Sequence, residues 1–495
     1  MRHQPNRGER ARPHLRSIAR TKTIDAGFLL GVQQPDAKAQ LAEQESLSLE
    51  AFVDPGVRDL RDLQWISIDE RASRELDQIS VAEVLADRST RLRVAIADVD
   101  VWVPQGSPLD QHAARNATSV FTGIASYPML PETLAVGRAS LNEGEDRLAL
   151  VVELIVDPDG TIQSGAPYRA VVRNQARLDY EEAEALLADE TATLPAGSFS
   201  PGVGEQLRLH EAAVLAMRDR RLTDGALDLV RAEVRPIFDN DRIVDLVVVP
   251  PNRARTLIEH LMVGVNAAIA RFMSSSALPW IARSQGPRDW HGLLELAAAN
   301  DYALPDKPDR AAFGRFVQHL RTSDPQSFSQ LQPAIARLLG GTEDLVIQPG
   351  EDPPPHYGLA LNGYTRATAP IRRYADLLAL RLLKAAIANQ PAPYSVPELD
   401  DLIEHYRERG RAADAVERDM LKLYGIVLVE GRTSEVFEAT VTTANDYGVW
   451  ARLDHPPVEG RLVRATAELV RGDRIRVRVA KTNWERGFVD LTLVL

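Results

Sequence analysis

Residues 356 to 376 read His-Tyr-Gly-Leu-Ala-Leu-Asn-Gly-Tyr-Thr-Arg-Ala-Thr-Ala-Pro-Ile-Arg-Arg-Tyr-Ala-Asp. The apolar run Tyr357 to Leu361 has the look of a strand, and Asn362-Gly363 turns it. A Thr/Ala/Pro elbow follows, and Pro370 suits the start of a helix, because its fixed φ matches the first turn and its missing N–H is not needed there. The apolar stretch Leu377 to Leu383 then continues as that helix, predicted to reach Asn389. This reading puts Arg372 and Arg373 in the first turn, where the helix dipole is already positive. An anion resolves the conflict: free helix N–H groups beside two guanidinium forks suit a phosphate. The alternative is a surface arginine pair bridged to acidic neighbours.

Around that segment the chain is long and rich in core-forming residues. Its 495 residues allow two to four domains, and a 44% apolar content is ample for a large core. The longest apolar runs, such as Leu148 to Val156, are too short to span a bilayer, so no membrane partner is expected. There is no cysteine, which excludes disulfides, thiol nucleophiles and cysteine-ligated zinc or iron–sulfur sites. A reducing cytoplasm is the natural compartment. The net charge is −12, but local balance differs. Residues 1 to 22 carry seven basic side chains and one acid; residues 461 to 486 carry eight basic and three acidic. An acidic shell with basic channels would hold a polyanion inside and repel it elsewhere. Solvated surface is the alternative for each run.

The pattern of elements is mixed. The first 25 residues show no hydrophobic period and read as a disordered basic arm, with an organellar leader as the other possibility. A helix is predicted over 37–52 and a strand over Trp65 to Asp69. Strands at Leu92 to Val101, Leu148 to Val156, Ala166 to Arg173 and Ile243 to Val249 then alternate with helices at Tyr180 to Leu187, Glu205 to Leu222, Ala254 to Met273 and Asp309 to Arg321. From about Ser434 short strands with Gly turns take over: Phe437 to Thr442, Gly448 to Leu453, Gly460 to Val463, Arg474 to Val479 and Phe488 to Val494. Five short strands in about 60 residues suit an OB-fold barrel.

The 356–376 segment resembles the ribonuclease II/R (RNB) family, whose signature is Gly-Leu-Ala…Tyr…Thr-Ser-Pro-Ile-Arg-Arg/Lys-Tyr…Asp. Further blocks follow the family's order: Arg93 to Val103, Gly106 to Asp110, Thr118 to Phe121, Pro128 to Pro131, Ser140 to Glu153, Ala176 to Tyr180 and Leu257 to Met262. The resemblance covers residues 62 to 430. Phe437-Glu-Ala-Thr-Val, Asp446-Tyr-Gly-Val-Trp450 and Gly472-Asp-Arg-Ile-Arg-Val477 are similar to an S1 RNA-binding domain. The implied architecture is α+β: an N-terminal extension over 1–60, an RNB catalytic domain over 61–432, and an S1-type five-stranded OB barrel over 433–495. The extension stands where family members carry two cold-shock-type domains.

The resemblance also implies a site. The family's carboxylate run, Asp-x5-Asp-x-Asp-Asp, aligns with Asp69, Glu75, Asp77 and Gln78. These residues would hold Mg2+ or Mn2+, a hard cation suited to oxygen ligands. Glu75 is one methylene longer than the usual Asp, and Gln78 brings an amide in place of the fourth charge. Taken alone, the acids could instead pair with Arg71 and Arg74. Asp77 and Arg372 match catalytic positions, Arg372 contacting the scissile phosphate. Arg373 would hold the next phosphate. Phe121 matches a base-stacking aromatic; Tyr180, Glu259 and Glu417 match residues near the terminal nucleotides. Tyr447 and Trp450 would stack bases on the S1 barrel. Core burial of the aromatics and plain surface charge for Glu259 and Glu417 are the alternatives. Arg366 replaces a usual His, Ala369 a usual Ser, and His260 stands where a second Glu is common.

The expected protein is therefore a monomeric, cytoplasmic, Mg2+-dependent hydrolytic 3′-to-5′ exoribonuclease that degrades single-stranded RNA to nucleoside 5′-monophosphates. The alternative is an RNB-fold RNA-binding protein with impaired catalysis, for which Gln78 speaks. A carboxylate-pair glycosidase would need sugar-stacking aromatics near Asp77, and none lies between Glu70 and Trp102.

Overall fold

The computed structural model describes residues 14–189, 202–228, 233–463 and 469–494. Its architecture is α+β with a C-terminal barrel. The apolar, β-branched runs form a sheet in which Trp65–Asp69, Gln78–Val84, Thr90–Ala97, Asp146–Val156 and Tyr168–Asp179 are successive neighbours, and a further pairing of Tyr168–Asp179 with Asp146–Val156 closes these five strands on themselves. Closure explains why their residues are buried on both faces rather than alternately, as at Val94 to Ala97 and Ala149 to Val152. The helices Val203–Thr223, Arg253–Ser274 and Tyr374–Ile387 cover this core.

Caps set where the helices begin. Asp179 and Glu182 form a reciprocal capping box at the start of Tyr180–Ala188. Ser395 and Glu398 do the same for Val396–Val429. That last helix has 34 residues, about 50 Å at 1.5 Å per residue. It touches the two-residue strand Val120–Phe121, the hairpin strand Arg242–Val248, and strand Arg474–Asn483 of the barrel. The barrel closes in the order Phe437–Asn445, Gly448–Leu453, Glu459–Leu462, Phe488–Leu493, Arg474–Asn483.

Four expectations need correction. The strand expected over Leu92 to Val101 ends at Ala97, and Val99–Val101 is a 3-10 turn. Residues 15 to 25 are a helix, Leu15–Asp25, not part of a disordered arm. Leu15, Ala19 and Thr23 recur every four residues, form a narrow buried stripe against the long helix and the barrel core, and are outnumbered by polar and basic neighbours. The rest of the expected arm, residues 1 to 13, lies outside the described residues. The helix expected over 37–52 is Pro35–Ser46 followed by a separate 3-10 turn, Leu49–Phe52. Finally, the strand expected over Tyr357 to Leu361 is reduced to Leu361, in the two-residue strand Leu361–Asn362: Tyr357–Leu359 is a 3-10 turn, because His356 Nδ1 accepts the Leu359 N–H at 3.3 Å and Ala360 adopts a left-handed φ of 55°.

Candidate active site

The strand Trp65–Asp69 is anchored by buried Trp65, Ile66 and Ile68 and delivers Asp69 at its end. It runs parallel to Tyr168–Asp179, with Asp69 opposite Asp179, so Tyr180 follows directly beside it. The chain then loops through residues 70–77 and re-enters the sheet at Gln78, which is buried and paired with Ile96. Asp77 is 1% exposed. Its Oδ1 accepts the Ile371 N–H at 2.8 Å, across 294 residues of sequence. Its Oδ2 lies 3.0 Å from Arg372 Nε. That contact is one of charge only: both atoms are buried and lack a hydrogen-bond partner among the described residues. Glu75 is also buried, and its Oε2 accepts from Ser119 Oγ at 3.3 Å. Ser119 N–H in turn donates to the Arg372 carbonyl at 2.9 Å, which ties the three segments together.

The loop arginines do not neutralise these acids. Arg71 pairs with Asp179 at 2.6 Å and Arg74 with Glu132 at 2.7 Å. The effect on the acids is clear. Burial, opposed by Arg372, pushes the carboxyl of Asp69 up to about 7, and the charge of Asp77 adds to the rise. Burial and the charge of Asp77 push Glu75 up to about 7 as well. Asp77 itself rises to about 6, with burial again outweighing Arg372. Three acids crowded against one guanidinium leave negative charge uncompensated. Among the described residues no group of three His, Asp or Glu could hold a metal ion on protein ligands alone. A divalent cation that keeps waters and shares its shell with substrate phosphates needs only one or two carboxylates, and the orphaned Asp77 oxygen and uncompensated neighbours fit that group.

The elbow differs from the sequence expectation in register. The helix begins at Tyr374, so Arg373 is its N-cap residue and Arg372 precedes it; neither lies in the first turn. The dipole conflict is met inside the protein: Asp376, fully buried, accepts from Arg373 Nε at 2.9 Å and Nη2 at 2.6 Å, and from the Ala369 N–H at 2.9 Å. Asp376 belongs to the segment that decided the fold, yet was not singled out; its place three residues after Arg373 is the signal.

The other expected residues fall in two places. Tyr180 is half-buried at the carboxylates: the charges of Asp69 and Arg372 both act on its phenol, whose pKa burial pushes up. Arg255 stacks 4.2 Å over its ring and pairs with Glu70, which also receives Arg235 at 2.8 Å. Glu70, Arg235 and Arg255 were not anticipated; nothing in their local spacing marks them. Glu259 is exposed one helical turn after Arg255, and its charge acts on Arg221. His260 is buried against Arg221, 2.6 Å away. Phe121 is 43% exposed, and its backbone N–H donates to Glu417 Oε1 at 2.8 Å, so these two meet. On the barrel, Tyr447 is 81% exposed at a turn. Trp450 is half-buried with the Arg461 guanidinium 5.8 Å from its ring. Neither belongs to the barrel core, which Ala439, Val441, Ala451, Leu453, Val477 and Leu491 fill. Arg474, Arg476 and Arg478 alternate outward along one barrel strand, and Lys481 is exposed after a bulge in it. Residues 464 to 468 of the expected basic run lie outside the described residues.

No helix of the described residues is long and apolar enough to cross a membrane. The fold has close likenesses. Residues 57–389 match the RNB domain, and residues 435–494 match the RNase II-type exonuclease C-terminal S1 domain. The chain is 29% identical over 476 residues to ribonuclease R of Thermotoga maritima, aligning 89% of itself with 65% of that protein. It is 27% identical over 474 residues to ribonuclease R of Escherichia coli, aligning 88% of itself with 57% of that protein. The chain thus spans less than two thirds of the length of these relatives. Its fold is similar to that of Mycoplasma genitalium RNase R in complex with ribose-methylated single-stranded RNA, at a TM-score of 0.81 and 21% identity, covering 97% of this chain and 78% of that one. With well over half of its residues inside the matched domain, this chain belongs to the RNB-domain (ribonuclease II/R) family.

Proposed function

We propose that this protein is a Mg2+-dependent, hydrolytic 3′-to-5′ exoribonuclease that shortens single-stranded RNA and releases nucleoside 5′-monophosphates. The observation that carries the reading is the meeting of Asp77 with Arg372, beside two further acids that no loop arginine neutralises. Arg372, held by its backbone carbonyl to Ser119, would face the scissile phosphate and stabilise the charge that develops on it. One or two carboxylates from among Asp69, Glu75 and Asp77 would hold the divalent ion, with the Gln78 amide the remaining candidate ligand. When bound, that ion supplies a water of lowered pKa and neutralises the leaving oxygen. Arg373, fixed by Asp376, would take the neighbouring phosphate. Tyr180, under Arg255, would meet the terminal nucleotide, where a contact to a 2′-hydroxyl tells RNA from DNA. Phe121 offers an exposed face for a base, and Tyr447 and Trp450 offer two more on the barrel. The relatives' names, ribonuclease R, support the same reaction class.

The test is the full chain with 5′-labelled single-stranded RNA and Mg2+. Progressive shortening from the 3′ end, lost in Asp77→Asn, supports the proposal; no shortening, or equal shortening in that variant, overturns it. One observation favours a second reading: an amide rather than a carboxylate at position 78. An RNA-binding protein with impaired catalysis would bind the labelled strand tightly, insensitive to EDTA, and leave its length unchanged.

A further inference from the structure

The cationic side of the site continues past Arg373. Arg283 Nη1 donates to both carboxylate oxygens of Asp344, at 2.9 and 3.1 Å. Arg366 Nη2 reaches the same carboxylate at 3.2 Å. Arg407, on the long helix, donates to the Asp344 backbone carbonyl at 3.1 Å. Three guanidiniums thus converge on a residue that brings one negative charge. The Tyr364 phenol links this group to the elbow: the charges of Arg373, Arg283 and Arg366 all act on it, and Asn266 Nδ2 donates to its hydroxyl at 3.4 Å. The His356 ring, 5.6 Å from that of Tyr364, is kept neutral by burial and by Arg283.

One polar atom here, Arg366 Nε, reaches no partner at hydrogen-bonding geometry. Tyr406 is 6% exposed, and its hydroxyl faces the Asp344 carboxylate as a hydrogen-bonding neighbour. The Arg366 Nε group is a donor, so what it lacks is an acceptor. Surplus positive charge sits beside it, so an anionic oxygen answers the charge as well as the donor, and a neutral carbonyl only the donor. The Arg283, Arg366 and Arg373 side chains are each between a fifth and a third exposed, so a ligand can approach.

We propose that Arg366 and Arg283 form a phosphate-binding site, separate from the Asp77–Arg372 pair and beyond Arg373, that takes a further backbone phosphate of the bound strand. This assignment rests on the exoribonuclease reading above. Arg366 is the informative position. It is the most loosely held of the three guanidiniums at Asp344.

The experiment is binding of labelled single-stranded RNA to the full chain in EDTA, across a range of salt. Each phosphate contact contributes about 0.7 to the slope of log affinity against log salt on a single strand. Arg366→Gln should flatten the wild-type slope by about that much, with melting temperature confirming the fold. A folded Arg366→Gln protein with the wild-type slope overturns the proposal. If that variant does not fold, Arg366→Lys decides: it keeps the charge and loses the planar fork, so the slope should hold while affinity falls several-fold. Wild-type affinity at every salt would then count against the site. Inorganic phosphate provides the last arm. If it raises the melting temperature of wild type but not of Arg366→Gln while the RNA slopes coincide, the site takes free phosphate and not the strand. Wild-type protein that neither binds nor shortens RNA would instead defeat the functional reading itself.

Discussion

Glu417 Oε1 accepts the backbone N–H of Phe121 at 2.8 Å, so a residue in the middle of the 34-residue helix fixes the strand that carries an exposed aromatic ring. Glu417 is half-buried, and burial raises its carboxyl pKa. The bond gives that carboxylate a positioning task whether or not it also touches a nucleotide. The Glu417→Ala and Phe121→Ala effects on RNA affinity should be non-additive, with a coupling of roughly 0.5–2 kcal/mol. Affinities from a double-mutant cycle check this; simple additivity would mean that the two side chains act separately.

An ionised carboxylate as buried as Asp77, with one oxygen lacking a hydrogen-bond partner, destabilises the protein when no cation is present. Asp77→Asn should therefore raise the melting temperature in EDTA by a few degrees while abolishing hydrolysis, a gain of about 1–3 kcal/mol. Thermal melts with and without Mg2+ measure it. Wild type should gain on adding the ion and the variant should not.

In mild acid the buried histidines should destabilise the fold, while protonation of the raised acids Asp69, Glu75 and Asp77 works the other way. His210 is fully buried with Nδ1 on the Gln206 carbonyl, and burial lowers its pKa to about 4; His260 and His356 are lowered to about 4 by burial and neighbouring arginines. The unfolded chain binds these protons near pH 6.5 and the folded chain does not, so the histidines' contribution to stability is full above about 6.5 and declines as pH drops toward 4. Urea midpoints of wild type and His210→Gln at pH 7 and pH 5 isolate it: between the two pH values the variant should gain roughly 1–3 kcal/mol relative to wild type.

Tyr447 is the most exposed of the expected stacking residues, so its removal should spare the fold. Tyr447→Ala should leave the melting temperature unchanged and weaken single-strand binding by about 1–3 kcal/mol. Fluorescence anisotropy with a labelled oligonucleotide reads this directly.

What the sequence revealed and what it hid follow from distance along the chain. Asp69 lies at the end of a strand with apolar residues on both faces, and that strand was visible in the local pattern. The barrel stretch Arg474 to Val479 alternates strictly and was equally plain. The contact of Asp77 with Ile371 and Arg372 joins segments almost 300 residues apart, and only the family resemblance brought them together beforehand. The long helix Val396–Val429 escaped notice because its apolar residues are spread among charged ones, and burying it takes several partners distant in sequence. Tyr357 to Leu361 has the composition of a strand, but the His356 side chain holds Tyr357–Leu359 as a turn, an override that no periodicity shows. Glu70 pairs with arginines 165 and 185 residues away, which only the fold places.

The most direct measurement is anomalous scattering from crystals soaked in Mn2+ with a non-hydrolysable single strand. A peak is expected beside the carboxylates of Asp69 and Asp77, with a strand phosphate at the Arg372 guanidinium. Strand density in the site with no metal peak beside those acids would contradict that reading.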